Sequence, residues 1–217
     1  LPDLCADGRM EIPMECHSIP AGEMPGATLL YTTFLNDFSR VSSFYSHPPN
    51  AIGIQQAAAE IRTEDAMRRG VVEVLRAQNI SFGGDAATNG NLDRLRDGAV
   101  AVVTGQQVGL LGGPAYCVYK ALTAIHAARE LTEKGTSAVP IFWLATEDHD
   151  LAEVNHNYFP KRGGIERLEL APQGIADRHV GEIRLGDAIR EVSARAAEML
   201  TGPASEEVAR WLAGSDL

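Results

Sequence analysis

Cysteine is scarce in this sequence. The 217 residues contain three cysteines, Cys5, Cys16 and Cys117, and no two of them form a CxxC pair. An odd number of widely spaced cysteines argues against a disulfide framework and offers no zinc site of the usual spacing. The pattern is typical of a reducing compartment, and we expect a cytoplasmic protein. Cys117 falls within a predicted helix, where we expect a small buried side chain rather than a nucleophile.

Basic residues are also few. The sequence has 19 Lys and Arg residues against 29 Asp and Glu residues, which gives a formal net charge of −10. Nucleic-acid backbones are bound through clustered Lys and Arg, so we expect no nucleic-acid partner. One small anion, held by backbone amides and a single lysine, is still compatible with this charge.

Long apolar runs are missing as well. The longest runs, near Val100 and Ile141, are much shorter than the roughly 20 residues that a membrane-spanning helix needs. The sequence does not open with a basic segment followed by an apolar one, as a secretory signal would. We therefore expect neither a secretory signal nor a membrane partner.

The centre of the sequence has the pattern of a βαβ unit, in which two parallel strands are joined by a helix. An apolar run is followed by a glycine-rich loop, a helix, a second apolar run and a cluster of ionisable residues. These segments are AVAVV (Ala99–Val103), TGQQVGLLGGP (Thr104–Pro114), a helix to about Lys134, AVPIFWLA (Ala138–Ala145) and TEDHD (Thr146–Asp150). Both polar segments follow the carboxyl end of a strand, so we expect them to face one crevice at the same sheet edge.

The glycine-rich loop matches neither GxGxxG nor GxxxxGK[ST], the usual dinucleotide and phosphate fingerprints. Its glycines permit positive φ, and Pro114 suits the first turn of a helix whose free amides attract an anion. Lys120 would reach such an anion from the first turns of that helix. A tight strand-to-helix turn and an ordinary exposed lysine explain the same residues. The candidate ligand-binding residues on this side are Thr104, Gly105, Gln106, Gln107, Gly109, Gly112, Gly113 and Lys120.

The TEDHD cluster places His149 among carboxylates, where an imidazole can act as a general acid or base. If the segment were helical, His149, Glu153 and His156 would share one face and could ligate a metal. A solvated acidic turn, or a helix cap from Asp148 or Asp150, is an equally simple interpretation.

The flanking segments predict further elements. We interpret residues 1–26 as a tail or leader, with Met14 as an alternative start. Residues 27–217 are expected to form a partial α/β core, with N-terminal helices over 27–98 and the βαβ unit and later elements over 99–217. The predicted elements are helices over 28–45 and 54–78, a loop over 79–91, a strand over 165–170 paired with 178–185 across a turn at 172–177, and helices over 187–200 and 205–212.

Hydrophobic spacing predicts which side chains enter the core. The expected core residues are Leu30, Phe34, Phe38 and Val41 in the first helix, Ile61, Val71, Val74 and Leu75 in the second, and Val118, Leu122, Ile125 and Ala128 in the central helix.

The stretch from Val102 to Phe159 closely resembles the bacillithiol biosynthesis cysteine-adding enzyme family. The shared pattern is TGQQxGLxxGPxYxxYK, then PxFWxAxEDHD, then ExNH. Such enzymes are more than twice as long as this chain, with a Rossmann-like core and a coiled-coil arm used in dimerisation. The resemblance therefore implies a homodimer for the full-length protein, and the arm is missing here.

The same resemblance implies a reaction. Cysteine is joined through its carboxyl group to the amine of glucosaminyl-malate, at the expense of ATP or another nucleoside triphosphate. The HxGH and KMSKS motifs of adenylate-forming Rossmann enzymes do not occur in this sequence.

The resemblance also assigns roles. His149 is expected to act as the general base, with Asp148 or Glu147 orienting it, and no metal is expected. The candidate ligand-binding residues on this side are Asp150, Asn155 and His156. The segment alone is expected to be inactive. Two alternatives are a metal-dependent hydrolase that uses His149, Glu153 and His156, and a non-catalytic nucleotide-binding module.

Overall fold

In the computed structural model, residues 19–161, 163–170 and 178–214 are described. Residues 1–18 of the predicted tail or leader, with Met14, Cys5 and Cys16, and the turn predicted at 172–177 lie outside these residues. The chain divides into two compact units, Leu1–Glu60 and Ile61–Leu217.

The first unit contains two short helices, α1 (Leu29–Asn36) and α2 (Ala51–Glu60). Thr28 caps α1 by accepting a hydrogen bond from the Tyr31 amide. The helix predicted over 28–45 is therefore too long, because Asp37 leaves the helical conformation and a single 3-10 turn follows. Of its predicted core residues Val41 is buried, whereas Leu30 is exposed.

The second unit begins with two helices, α3 (Asp65–Ser81) and α4 (Ala86–Arg96). The single helix predicted over 54–78 is wrong, since Glu64 is extended and α3 starts anew after it. The loop predicted over 79–91 is also wrong. Asp85 caps α4 through the Thr88 amide, and burial of Leu92 outweighs the turn-forming tendency of the Asn-Gly pair.

The residues that α3 buries differ from the expected ones, because the helix turns another face to the core. Val72 is buried and Leu75 packs against it, whereas Ile61, Val71 and Val74 are exposed. The buried cluster comprises Val72, Leu92, Leu95, Ala99 and Val139.

The predicted βαβ unit is confirmed. Strand β1 (Val100–Gln107), helix α5 (Ala115–Glu133) and strand β2 (Ala138–Ala145) follow one another, and β1 pairs with β2 in parallel. The α/β fold class is confirmed with it. β2 has the predicted bounds, but β1 continues past Val103 to Gln107, so TGQQ belongs to the strand and not to the loop.

Of the four core residues predicted in helix α5, Ala128 is buried as expected and the other three are exposed. Cys117, Ala124, Ala128 and Leu131 are buried, whereas Val118 and Leu122 are 59% and 49% exposed and Ile125 is also exposed. The buried residues are mostly small, which lets the helix axis lie close to the sheet. Cys117 is a small buried side chain, as predicted.

After β2 the chain forms a short helix, a hairpin and two further helices. These are α6 (Leu151–Val154), β3 (His156–Lys161), β4 (Gly164–Glu169), α7 (Ala188–Met199) and α8 (Ser205–Gly214). The strand over 165–170 and both last helices are confirmed within one or two residues. The predicted partner of that strand is wrong, because β4 pairs antiparallel with β3 and residues 180–182 form a 3-10 turn. An adjacent strand reached by a tight connection pairs more readily than a distant one.

Candidate functional site

The two polar segments meet at the carboxyl ends of β1 and β2. Gln107, the last residue of β1, is paired in register with Ala145, the last residue of β2. The side-chain amide nitrogen of Gln107 donates to Asp148 Oδ2 at 3.2 Å and to Glu153 Oε2 at 3.1 Å. The strand ends thus bring together residues that lie 41 and 46 positions apart.

The same amide belongs to a longer hydrogen-bond chain. Lys120 Nζ donates to Gln106 Oε1 at 2.8 Å, and Gln106 Nε2 donates to Gln107 Oε1 at 2.5 Å. Every donor points the same way, from the Lys120 ammonium toward the carboxylates of Asp148 and Glu153. Hydrogen bonds aligned in this manner polarise and strengthen one another. We call this chain of Lys120, Gln106, Gln107, Asp148 and Glu153 the edge network.

Lys120 is placed in this network by the first turns of α5. Its Nζ also donates to the Gly105 carbonyl at 3.2 Å and lies 5.3 Å from the centre of the Tyr116 ring. Within the described part of the chain, its ammonium forms no ion pair. The positive charge of Lys120 therefore remains available to an anion at this edge. Burial raises the pKa of the neighbouring Tyr116 hydroxyl, and the nearby charges of Cys117 and Glu153 raise it further.

The TEDHD cluster forms a tight turn around Asp148. Asp148 Oδ1 accepts from the backbone amides of His149 at 2.7 Å and Asp150 at 3.1 Å. The Asp150 amide, the Gln107 side chain and the His149 amide all stabilise the charged form, so the pKa of Asp148 lies below its ordinary value of 3.8. Asp148 therefore holds the backbone of the turn that carries His149.

Asp150 has a structural role in the turn. Its side chain caps α6 by accepting from the Glu153 amide at 3.1 Å, as one interpretation of the sequence predicted. Asn155 and His156 follow α6 and bond to each other, Asn155 Oδ1 lying 3.3 Å from His156 Nδ1. His156 also contacts the Tyr158 ring.

The metal-hydrolase alternative requires one helix through residues 149–156. The observed helix covers only Leu151–Val154, and His156 begins β3. In the described ranges, no group of three His, Cys, Asp or Glu residues could hold a metal ion. The ligand set on which that alternative depends is not assembled.

The glycines of the loop make close backbone approaches. A Cβ on Gly105 would lie 2.7 Å from the Trp143 carbonyl oxygen, and a Cβ on Gly109 would lie 2.6 Å from the Gly113 Cα. Packing within the sheet and the turn therefore explains these two glycines. Gly112 and Gly113 have positive φ, as does Leu111 between them and the strand.

Two residues of the site were not predicted. Asn157 fixes the glycine turn, because its side-chain amide donates to the carbonyls of Leu110 at 3.2 Å and Gly113 at 2.8 Å. His179 stacks on His149 with ring centres 4.2 Å apart. No local spacing pointed to His179, because a segment 30 residues away brings it to the turn. Glu153 was considered only as a metal ligand, whereas it ends the edge network.

Comparison with known proteins decides the family. The family model described as the N-terminal Rossmann-like domain of bacillithiol biosynthesis BshC matches residues 14–212. The chain belongs to this family. Relatives that carry the name "Putative cysteine ligase BshC" include one from Solibacter usitatus, 39% identical over 199 residues, and one from Koribacter versatilis, 35% identical over 183 residues.

The aligned segments cover most of this chain but a smaller part of each relative. The Solibacter match includes 90% of the chain and 36% of the relative, and the Koribacter match includes 84% and 34%. The chain thus spans about a third of the length of these family members. In the described part of the chain, no helix has the length and apolar character needed to cross a membrane.

Proposed function

We propose that this chain forms part of a ligase that joins L-cysteine to glucosaminyl-malate. The carboxyl carbon of cysteine would form an amide with the amine of the sugar, which gives bacillithiol. Membership of the BshC family and the name of its relatives support this reaction. Because the chain spans about a third of those relatives, the activity is proposed for a protein of their length.

The observation that carries the proposal is the edge network. It joins the TGQQ segment of β1 to the turn after β2, so a cationic group and two carboxylates stand at one edge. Ligands of open α/β sheets bind in such a crevice. An amine substrate and an anionic co-substrate can then be held by opposite ends of the same network.

Lys120 and the start of α5 would form the anion side. Its ammonium has only neutral acceptors within the described residues, Gly105 and Gln106. A phosphate or carboxylate oxygen would give that charge a stronger partner. A bound ATP or other nucleoside triphosphate would supply the free energy that amide formation from a free carboxylate requires.

His149 would act as the general base. As the amine nitrogen attacks the activated carboxyl carbon of cysteine, the C–N bond forms and the C–O bond to a leaving group derived from the nucleoside triphosphate breaks. The nitrogen must also lose a proton, which the imidazole accepts. The backbone amide of His149 donates to Asp148 Oδ1, so His149 belongs to the turn that follows β2. General bases of this kind contribute roughly 100-fold to 10,000-fold to a rate.

The partners of the proposed protein follow from this chemistry. They are cysteine, glucosaminyl-malate and a nucleotide, and a full-length protein is expected to form a homodimer. We place the protein in the cytoplasm, where the thiol of cysteine stays reduced.

A chimera tests the role of His149. In this chimera, residues 14–212 replace the matching segment of the Solibacter usitatus relative. With ATP, cysteine and glucosaminyl-malate, the chimera should form bacillithiol, and His149→Ala should lower kcat at least 100-fold. The matched control is His126→Ala, which removes an exposed histidine of α5 and should leave the rate unchanged.

Calorimetry separates the ligase from a binding module. Titration of the chimera with ATP, cysteine and glucosaminyl-malate in turn should give heat for each.

Two outcomes of these experiments would contradict the proposal. Full bacillithiol formation by the His149→Ala chimera would remove the general-base role. Nucleotide binding without any product from the unmodified chimera would favour the non-catalytic module.

A further inference from the structure

A short segment after β4 lies along the TEDHD turn. Residues 179–181, which we call the strap, form three hydrogen bonds with the turn. His179 Nδ1 bonds to the Glu147 carbonyl at 2.7 Å, the Val180 amide donates to the Asp148 carbonyl at 2.7 Å, and the Gly181 amide donates to the Thr146 carbonyl at 3.0 Å. The strap therefore holds the backbone of the turn over three consecutive residues.

The third strap residue allows this close approach. A Cβ on Gly181 would lie 2.7 Å from the Thr146 Cβ and 3.2 Å from the Thr146 carbonyl oxygen. Real side chains essentially never place a Cβ atom as close to another carbon atom as the first distance. Any larger residue at position 181 would separate the strap from the turn, and His179 would move with it.

The ring of His179 is fixed by its own hydrogen bond. A carbonyl oxygen only accepts, so Nδ1 of His179 must carry the hydrogen. This bond defines the orientation of the ring, which packs against the His149 ring with an angle of 45° between their planes. Among the described residues, the His149 imidazole itself forms no hydrogen bond. Contact with the His179 ring therefore restrains where that imidazole points.

We infer that His179 is a positioning residue, which holds the His149 imidazole in the orientation needed for proton transfer. The inference rests on the proposed function, in which His149 is the base. His179 acts through its ring, and the hydrogen bond to Glu147 serves to hold that ring in place. A misplacement of about 1 Å can lower an enzymatic rate roughly 100-fold.

Three variants of the chimera separate the ring from the hydrogen bond. His179→Phe keeps a ring but loses the donor, His179→Asn keeps a donor but loses the ring, and His179→Ala loses both. We expect kcat to fall about tenfold or more for His179→Ala and His179→Asn, with KM within about twofold. His179→Phe keeps a ring but not the hydrogen bond that holds it, so its kcat should lie between that of the parent and that of His179→Asn. Equal kcat for all three variants and the parent would overturn the inference.

A spectroscopic measurement reads the position of His149 without activity. In ¹H–¹⁵N spectra of the 217-residue chain, the His149 ring signals are assigned by their loss in His149→Ala. They should shift in His179→Ala and return toward their parent positions in His179→Phe. His126→Ala serves as the control that leaves them in place. If the His149 ring signals keep their chemical shifts in every variant at position 179, the inference is also overturned.

The two measurements keep this inference apart from the proposed function. If the His149→Ala chimera is fully active but the His149 signals of the 217-residue chain respond to substitutions at position 179, the general-base role fails while the positioning contact stands. If His149→Ala is inactive and the position-179 variants match the parent, the base stands and the positioning role fails. Should His179→Ala not fold, the comparison of His179→Phe with His179→Asn gives the same decision.

Discussion

Gln107 shows how much one neutral side chain can organise. It carries no charge, yet its amide accepts from Gln106 and donates to the carboxylates of Asp148 and Glu153. Two carboxylates that share a donor repel each other less than two bare ones. Because a glutamine amide both accepts and donates, Gln107 can link Gln106 to the two carboxylates, which a lysine or arginine, having donors alone, could not do.

Asp148 gives a prediction about acid stability. Its pKa is lowered in the folded protein by the amides of the turn and by Gln107. A carboxyl whose pKa is lowered by folding stabilises the folded protein at pH values above its ordinary pKa of 3.8. This stabilisation is lost as the pH falls through the pKa of the folded state. Asp148→Asn should therefore be less stable than the parent at pH 6, and the difference should shrink below about pH 3.8.

Urea unfolding of the 217-residue chain between pH 3 and pH 6 measures this difference. The asparagine keeps the shape of the side chain, so packing is largely unchanged. A difference between parent and variant that is the same at every pH would contradict the assignment of the shift to Asp148.

At the scale of elements, helix α5 shows that an amphipathic pattern by itself does not identify which face of a helix is buried. The stripe of Val118, Leu122 and Ile125 is more apolar than the buried face, yet it is exposed. The helix instead packs through Cys117, Ala124, Ala128 and Leu131. Close approach of a helix to a sheet selects for small residues, and this selection outweighs the size of the apolar side chains.

Two leucines of α5 test this orientation. Leu131 is 4% exposed and Leu122 is 49% exposed. We expect Leu131→Ala to lower the free energy of unfolding by about 2–5 kcal/mol, because it leaves a cavity. The matched Leu122→Ala should cost less than about 1 kcal/mol in the 217-residue chain. Chemical denaturation of both variants gives these values, and equal losses would mean that α5 is rotated from the face described here.

At the scale of the whole molecule, the chain spans about a third of its relatives. Its parallel sheet has two strands in the described residues, whereas open α/β domains usually have more. Large apolar side chains of β1 and β2, among them Val103 and Trp143, are exposed. These features are consistent with a site that needs further chain to close it.

The 217-residue chain and the chimera should therefore differ in activity. With ATP, cysteine and glucosaminyl-malate, the 217-residue chain alone should form no bacillithiol above the background rate, whereas the chimera should form it. Mass spectrometry of the product decides the outcome, and spectra of the folded chain serve as the control. Product from the chain alone would show that the edge network suffices for catalysis.

The sequence by itself determined the βαβ unit, the bounds of β2 and the family. Alternating and apolar runs, glycine and proline positions and the long TGQQ and EDHD pattern are local signals, and they survive folding because neighbouring residues decide them. The sequence also predicted that the two polar segments would meet, since parallel strands end at one edge.

Only the tertiary structure decided which side chains meet there. The contacts of Gln107 with Asp148 and of His149 with His179 join residues far apart in the chain, and no spacing encodes them. The break between α2 and α3 and the buried face of α5 were settled in the same way. In α5, packing against the sheet outweighed a local preference worth only a fraction of a kilocalorie per residue.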